Sequence, residues 1–195
     1  MKSIGVFCGS SIGTDGQYLK AAEELGVILA KNKIRLIYGG ANVGMMGKLA
    51  NSCLENGGYV IGVMPAEIAE MGIAHEKLSE IKFVKTMHER KALMSGLSDG
   101  FISLPGGIGT LEETVEIFTW LQLGLQMKPF GLVNTGGYYD HLIEFFNNIV
   151  RNGFLRKEHL DMMLVEKDSG KLIERLLKYK PVKLEKWFDV KKHRV

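Results

Sequence analysis

Long apolar runs are missing from this chain. Stretches such as Ile34-Arg35-Leu36-Ile37-Tyr38 are short, and none approaches the roughly 20 apolar residues that span a bilayer. No membrane protein is expected. Cysteine is scarce: Cys8 and Cys53 are flanked by apolar residues and have no metal-ligand spacing. They read as reduced core thiols, which leaves out a disulfide scaffold and a zinc site. His75, His141, His159 and His193 are isolated along the chain, so no metal site is expected. Repeats, low-complexity segments and long linkers are absent. The Met-Lys-Ser start runs directly into a strand-like stretch, without the longer apolar segment and cleavage site of a signal peptide. A cytoplasmic protein is expected.

Charge of one sign is lacking in the body of the chain. The formal net charge is +3, but residues 178–195 carry seven Lys/Arg (Lys178, Lys180, Lys183, Lys186, Lys191, Lys192 and Arg194) against Glu185 and Asp189, so the remainder is slightly acidic. The body therefore offers no basic face for nucleic acid, and a nucleic-acid partner is not expected. The tail, 181–195, also holds Trp187 and Phe188 and reads as a solvated or packing segment. A hydrophobic content of 46% and a charged content of 24% over 195 residues suit one globular domain, placed at 1–180.

What is present is alternation. Short aliphatic runs at 4–8, 34–38, 59–64, 81–84, 100–104 and 130–133 alternate with amphipathic stretches near 17–32, 45–55, 88–97, 111–123, 139–152 and 169–178. Strands alternating with helices predict βαβ units. Apolar content on both strand faces predicts a parallel sheet covered on both sides. The fold class expected is α/β: one Rossmann-like, doubly wound domain.

Ligands of such sheets bind beyond the carboxyl ends of the strands, and the glycines cluster there. Cys8-Gly9-Ser10-Ser11 follows the first strand. Gly39-Gly40-Ala41-Asn42-Val43-Gly44-Met45-Met46-Gly47 follows the second, and Pro105-Gly106-Gly107-Ile108-Gly109-Thr110 the fifth. Neither the lysine of an ATP-binding P-loop nor the dinucleotide spacing G-x-G-x-x-G is present, so ATP chemistry and NAD are not supported. Glycine turns can also serve close helix–strand packing alone. Three of them on one edge, with Ser10, Ser11 and Thr110 adding hydroxyl donors and Gly40 a candidate contact in the second turn, favour a bound phosphate, and a mononucleotide rather than a dinucleotide.

Two helix starts carry charges that need a reason. Thr110-Leu111-Glu112-Glu113 matches a capping box, with Thr110 as cap and Glu113 reaching back to it. The alternative is a Glu113 carboxylate facing a ligand held by the glycines. Thr86-Met87-His88-Glu89 has the same cap pattern, followed by Arg90 and Lys91. Cations in a first turn oppose the helix dipole, so helix stability does not account for them; either they form a solvated face or Arg90 recognises a phosphate or carboxylate. His88 either orients Arg90 or is a polar helix-start residue. Met45, Met46 and Met94 either fill core gaps or line a base pocket.

These residues resemble a known family. The nonapeptide ending at Glu113 matches the PGGxGTxxE motif of the LOG ("lonely guy") family of cytokinin riboside 5′-monophosphate phosphoribohydrolases. Met87-His88-Glu89-Arg90-Lys91 resembles its MHxRK signature. Cys8-Gly9-Ser10-Ser11, the turn at 39–47, Met64-Pro65-Ala66-Glu67 and Thr119-Trp120-Leu121-Gln122-Leu123-Gly124 extend the likeness from residue 1 to about 180. The resemblance implies a Rossmann-like homodimer that releases free base and ribose 5-phosphate from a purine nucleoside 5′-monophosphate, without redox cofactor or catalytic metal. It implies Arg90 and Glu113 as the catalytic pair, and Glu67, Lys91, Gly106, Gly107, Gly109, Thr110 and Thr119 as nucleotide-binding positions. Members have also carried the label lysine decarboxylase, which this sequence does not support. A non-catalytic carrier of a nucleotide or phosphorylated cofactor is the alternative. Whether AMP or an N6-prenylated nucleotide is preferred stays open.

Overall fold

In a computed structural model that describes residues 1–181, every strand of the sheet is parallel. The strands are β1 (Ser3–Phe7), β2 (Arg35–Tyr38), β3 (Val60–Pro65), β4 (Glu80–Val84), β5 (Phe101–Ser103), β6 (Phe130–Val133) and β7 (Met163–Glu166), in the order β4-β3-β2-β1-β5-β6-β7. The helices are α1 (Gly16–Lys31), α2 (Gly44–Glu55), the single turn α3 (Ala66–Ile68), α4 (Met87–Leu97), α5 (Ile108–Leu123), α6 (Asp140–Arg151), the short α7 (Lys157–Leu160) and α8 (Ser169–Lys178). The basic tail, with Trp187 and Phe188, lies outside the described residues. Among the described residues, no helix is long and apolar enough to cross a membrane.

Alternating strand residues supply two separate cores, because successive side chains leave opposite faces of a strand. Ile4 and Val6 pack with Leu25 and Leu29 of α1, Leu49 and Cys53 of α2, and Leu172 and Ile173 of α8. Phe7, Phe101 and Phe130 point the other way and pack with Met94 of α4, Ile117 and Phe118 of α5, and Phe146 of α6. This is the doubly wound arrangement.

The expected strands form with bounds shifted by at most one residue. β7 and the short helices α3 and α7 were not expected from the sequence. The chain winds outward from β1 to β4, then returns to place β5 on the other side of β1. At that reversal the helices that follow β1 and β5 pack on opposite faces of the sheet, and this is the usual ligand position in such sheets.

Candidate active site

A cleft of about 390 Å³ opens at this reversal, lined by Cys8 and Ser10 after β1, Gly39 after β2, Arg90 of α4, and Gly107, Ile108, Gly109, Thr110, Glu112 and Glu113 at the start of α5. Its opposite wall is apolar, made by Met46, Met64, Met87, Ile68 and Ile73. Met45 and Met94 are core residues instead. Of the methionines considered for a base pocket, Met46 alone reaches the cleft; Met64 and Met87 complete the wall.

Arg90 is held in place from three sides. Thr86 caps α4 by accepting from the Glu89 N–H at 3.1 Å, and Glu89 in turn accepts from the Lys85 N–H at 2.8 Å. One turn on, Arg90 Nε donates to the Val63 carbonyl within β3 (3.1 Å), and Nη1 donates to Glu113 Oε1 at 2.7 Å. The third side is Gly39, where a Cβ would lie 2.5 Å from Arg90 Nη2. The side chains of Arg90 and Glu113 are only 13% and 10% exposed, so the pair sits largely out of water. His88 is exposed and makes no hydrogen bond to Arg90.

The capping-box reading of Thr110 and Glu113 is overturned. Helix α5 begins three residues earlier than Leu111, at Ile108, with Gly107 as its cap and no side-chain hydrogen bond at the cap. Thr110 is therefore inside the first turn, and Glu113 turns to Arg90 rather than back to the helix start. Burial raises the Glu113 pKa above the usual carboxylate range, with the Arg90 charge and hydrogen bond opposing that rise. Glu113 Oε2 has no partner among the described residues. Cys8 lies beside the pair; burial pushes its thiol far up, Glu113 adding to the rise, so it is a neutral wall rather than a nucleophile.

The turn between β5 and α5 presents donors to this cleft. Pro105 O accepts from the Gly9 N–H at 3.1 Å, so the turns after β1 and β5 are joined. The close approach needs glycine at 106, where a Cβ would lie 2.1 Å from Thr110 Oγ1 and 2.8 Å from the Gly9 nitrogen. Gly107 and Gly109 differ: a Cβ at either would meet open space. The N–H groups of Ile108, Gly109 and Thr110 begin a helix and have no acceptor among the described residues, as the geometry of a helix start dictates. By contrast, the α2 start is occupied: Met45 and Met46 N–H groups donate to the Ser11 and Gly9 carbonyls at 3.4 and 3.3 Å. Two of the first amides of α2 are thus taken, whereas none of the three at the start of α5 is.

A family model described as possible lysine decarboxylase matches residues 46–176. A probable cytokinin riboside 5′-monophosphate phosphoribohydrolase of Oryza sativa subsp. japonica is 44% identical over 181 residues, covering 93% of this chain and 80% of that protein. A cytokinin riboside 5′-monophosphate phosphoribohydrolase of Rhodococcoides fascians is 45% identical over 168 residues, 86% of this chain and 85% of that protein. The chain belongs to the LOG family. Among solved structures, the molybdenum cofactor binding protein of Rippkaea orientalis matches with a TM-score of 0.69 at 23% identity, over 90% of this chain and 95% of that one. That likeness is one of fold.

The LOG signatures do not all converge on the cleft of one chain. Ser10, Arg90, Gly107, Gly109, Thr110 and Glu113 line it. Gly106 lies behind the turn, and Gly40 is one residue off, at φ 86°, its carbonyl accepting from the His75 N–H at 2.9 Å. Glu67 is exposed on α3. Thr119 donates to the Val115 carbonyl of its own helix. Lys91 Nζ is tied to Glu112 at 2.6 Å and Glu116 at 2.9 Å, and the Glu112 hydrogen bond raises its pKa. An amine held protonated is a poor Schiff-base nucleophile, and no lysine lines the cleft among the described residues. Gly39 escaped the sequence reading, since its role is space for Arg90 and no local pattern shows that.

Proposed function

We propose that the chain hydrolyses the N-glycosidic bond of a purine nucleoside 5′-monophosphate, releasing free base and ribose 5-phosphate. The observation that carries this reading is the buried pair of Arg90 and Glu113 facing the open amides of α5 across one cleft. The names of the LOG relatives support the same bond type. The 5′-phosphate is held by the N–H groups of Ile108, Gly109 and Thr110, where the helix dipole favours an anion, with Ser10 at the rim. The base lies against the methionine wall.

Breaking the bond develops positive charge on the sugar, which a nearby carboxylate stabilises. Glu113 Oε2 holds a water against the anomeric carbon. As the water oxygen bonds to that carbon, the electron pair of the C–N bond leaves with the base nitrogen. Glu113 takes the water proton, and a solvent proton neutralises the base. A carboxylate of raised pKa is the better base for this step. Arg90 keeps Glu113 oriented and offsets charge on the nucleotide. Glu67, Lys91 and Thr119 are proposed nucleotide contacts on the family resemblance alone.

AMP and an N6-prenylated AMP are both proposed substrates, and a homodimer in the cytoplasm is the proposed state of the protein. Incubation with each nucleotide, with base and ribose 5-phosphate quantified, tests the reaction. Both products should appear in equal amounts, and Glu113→Gln should lower turnover by about 10²-fold or more. Tight binding of nucleotide with no release of base would mark a carrier instead.

A further inference from the structure

Two adjacent tyrosines reach the phosphate turn from behind. Tyr138 and Tyr139 follow β6, and each hydroxyl donates to a carbonyl of the β5-to-α5 turn: Tyr139 to Leu104 at 2.6 Å, Tyr138 to Gly106 at 2.5 Å. With Pro105 O held by the Gly9 N–H, the three successive carbonyls of this turn are each fastened to a different residue.

The Gly106 carbonyl fixes more than itself. In a planar trans peptide the C=O and the following N–H point in opposite directions. The Gly106 oxygen is drawn towards Tyr138, on the side of a small apolar cavity lined by Leu111, Tyr138, Tyr139 and Leu142. The Gly107 N–H is therefore turned the other way, towards the cleft that Gly107 also lines. Gly107 has open space at its Cβ position, so neighbouring side chains do not hold this peptide. Rotated by half a turn, it would aim a carbonyl oxygen at the phosphate.

We infer that Tyr138 is a positioning residue for anion binding: its hydroxyl keeps the peptide between Gly106 and Gly107 oriented with the N–H towards the 5′-phosphate. This rests on the placement of the phosphate under Proposed function. The Tyr138 ring is itself braced edge-on by Tyr18 and Tyr139, at centroid distances of 5.6 and 5.0 Å, so it holds its hydroxyl at a defined point. The signal is invisible in the turn's own sequence, because the orienting group comes from the next βα connection.

Tyr138→Phe keeps the ring contacts and removes only the hydroxyl. Binding of inorganic phosphate, ribose 5-phosphate, AMP and adenosine to wild type and variant is measured by calorimetry, with thermal melts to establish folding. The variant should bind the three phosphorylated ligands about 5–10-fold more weakly, the scale of one hydrogen bond, and adenosine equally well. The Gly107 amide resonance should shift on phosphate addition in wild type and much less in the variant. Equal weakening of AMP and adenosine, or no weakening, overturns the inference. Phosphate binding that depends on Tyr138 in a chain that never releases base would sustain it while removing the glycosidase reading.

Discussion

Arg90 was conspicuous in the sequence because a cation in a first helical turn has no local reason to be there. The structure supplies the reason as Glu113 and the Val63 carbonyl. What the sequence could not show is that the space for the guanidinium is made by Gly39. That residue needs no positive φ, and its nearest neighbour is the far end of a side chain, so Gly39→Ala should fold normally. It should nevertheless displace the guanidinium and lower kcat/KM by about 10²-fold, the scale for an ångström of misplacement. In an Arg90→Lys background, which lacks Nη2, the same change should add little. An additive double-mutant cycle would remove this role from Gly39. A pH profile tests the partner. The proposed hydrolysis requires ionised Glu113, whose pKa burial raises. Activity should therefore fall as pH drops through an apparent pKa above the ordinary glutamate value of about 4.3. A limb at or below that value would separate Glu113 from the proton-accepting role.

At the scale of elements, the sequence reading succeeded where periodicity is strong and failed where local chemistry misled it. Strands β1 and β3 are buried at every residue, so they read as unbroken apolar runs. Strand β7 is a sheet edge with a half-buried end and leads straight into Lys167 and Asp168, which masked it. Helix α5 misled more instructively: Thr-x-x-Glu looked like a capping box, yet the helix starts at Ile108. The glycines around it divide by purpose. A side chain at Gly106 collides with Thr110 and Gly9, whereas Gly109 has open space. Gly109→Ala, inside the first turn of the helix, should raise stability by about 0.5–1 kcal/mol while weakening nucleotide binding, since the methyl intrudes where phosphate sits. Thermal melts and binding isotherms read the two effects separately; a variant that gains stability and keeps full affinity would move the phosphate elsewhere.

At the scale of the whole molecule, α5 carries an exposed apolar face among the described residues. Ile108 is 82% exposed, Leu111 36%, Val115 38% and Leu123 37%, and all lie on α5, at spacings that place the first three on one side of it. Contiguous exposed apolar surface marks an interaction face, and a second copy of this chain is the proposed occupant. Light scattering should give twice the chain mass for wild type and a single chain for Val115→Glu with Leu123→Glu. A wild type at single-chain mass would end the dimer proposal. The doubly wound topology was readable from the order of strands and helices. The homodimer was expected from the family resemblance alone, because an apolar stripe in sequence looks the same whether a core or another molecule covers it.

The start of α5 has one more consequence. A helix whose cap is glycine, with no hydroxyl or carboxylate to close it, is left unfinished by its own chain, and the proposed phosphate would complete its secondary structure. Occupancy should then be written into solvent exchange. With inorganic phosphate added, the amides of Ile108, Gly109 and Thr110 should exchange their hydrogens for deuterium more slowly, while those of the already closed α2 start keep their rates.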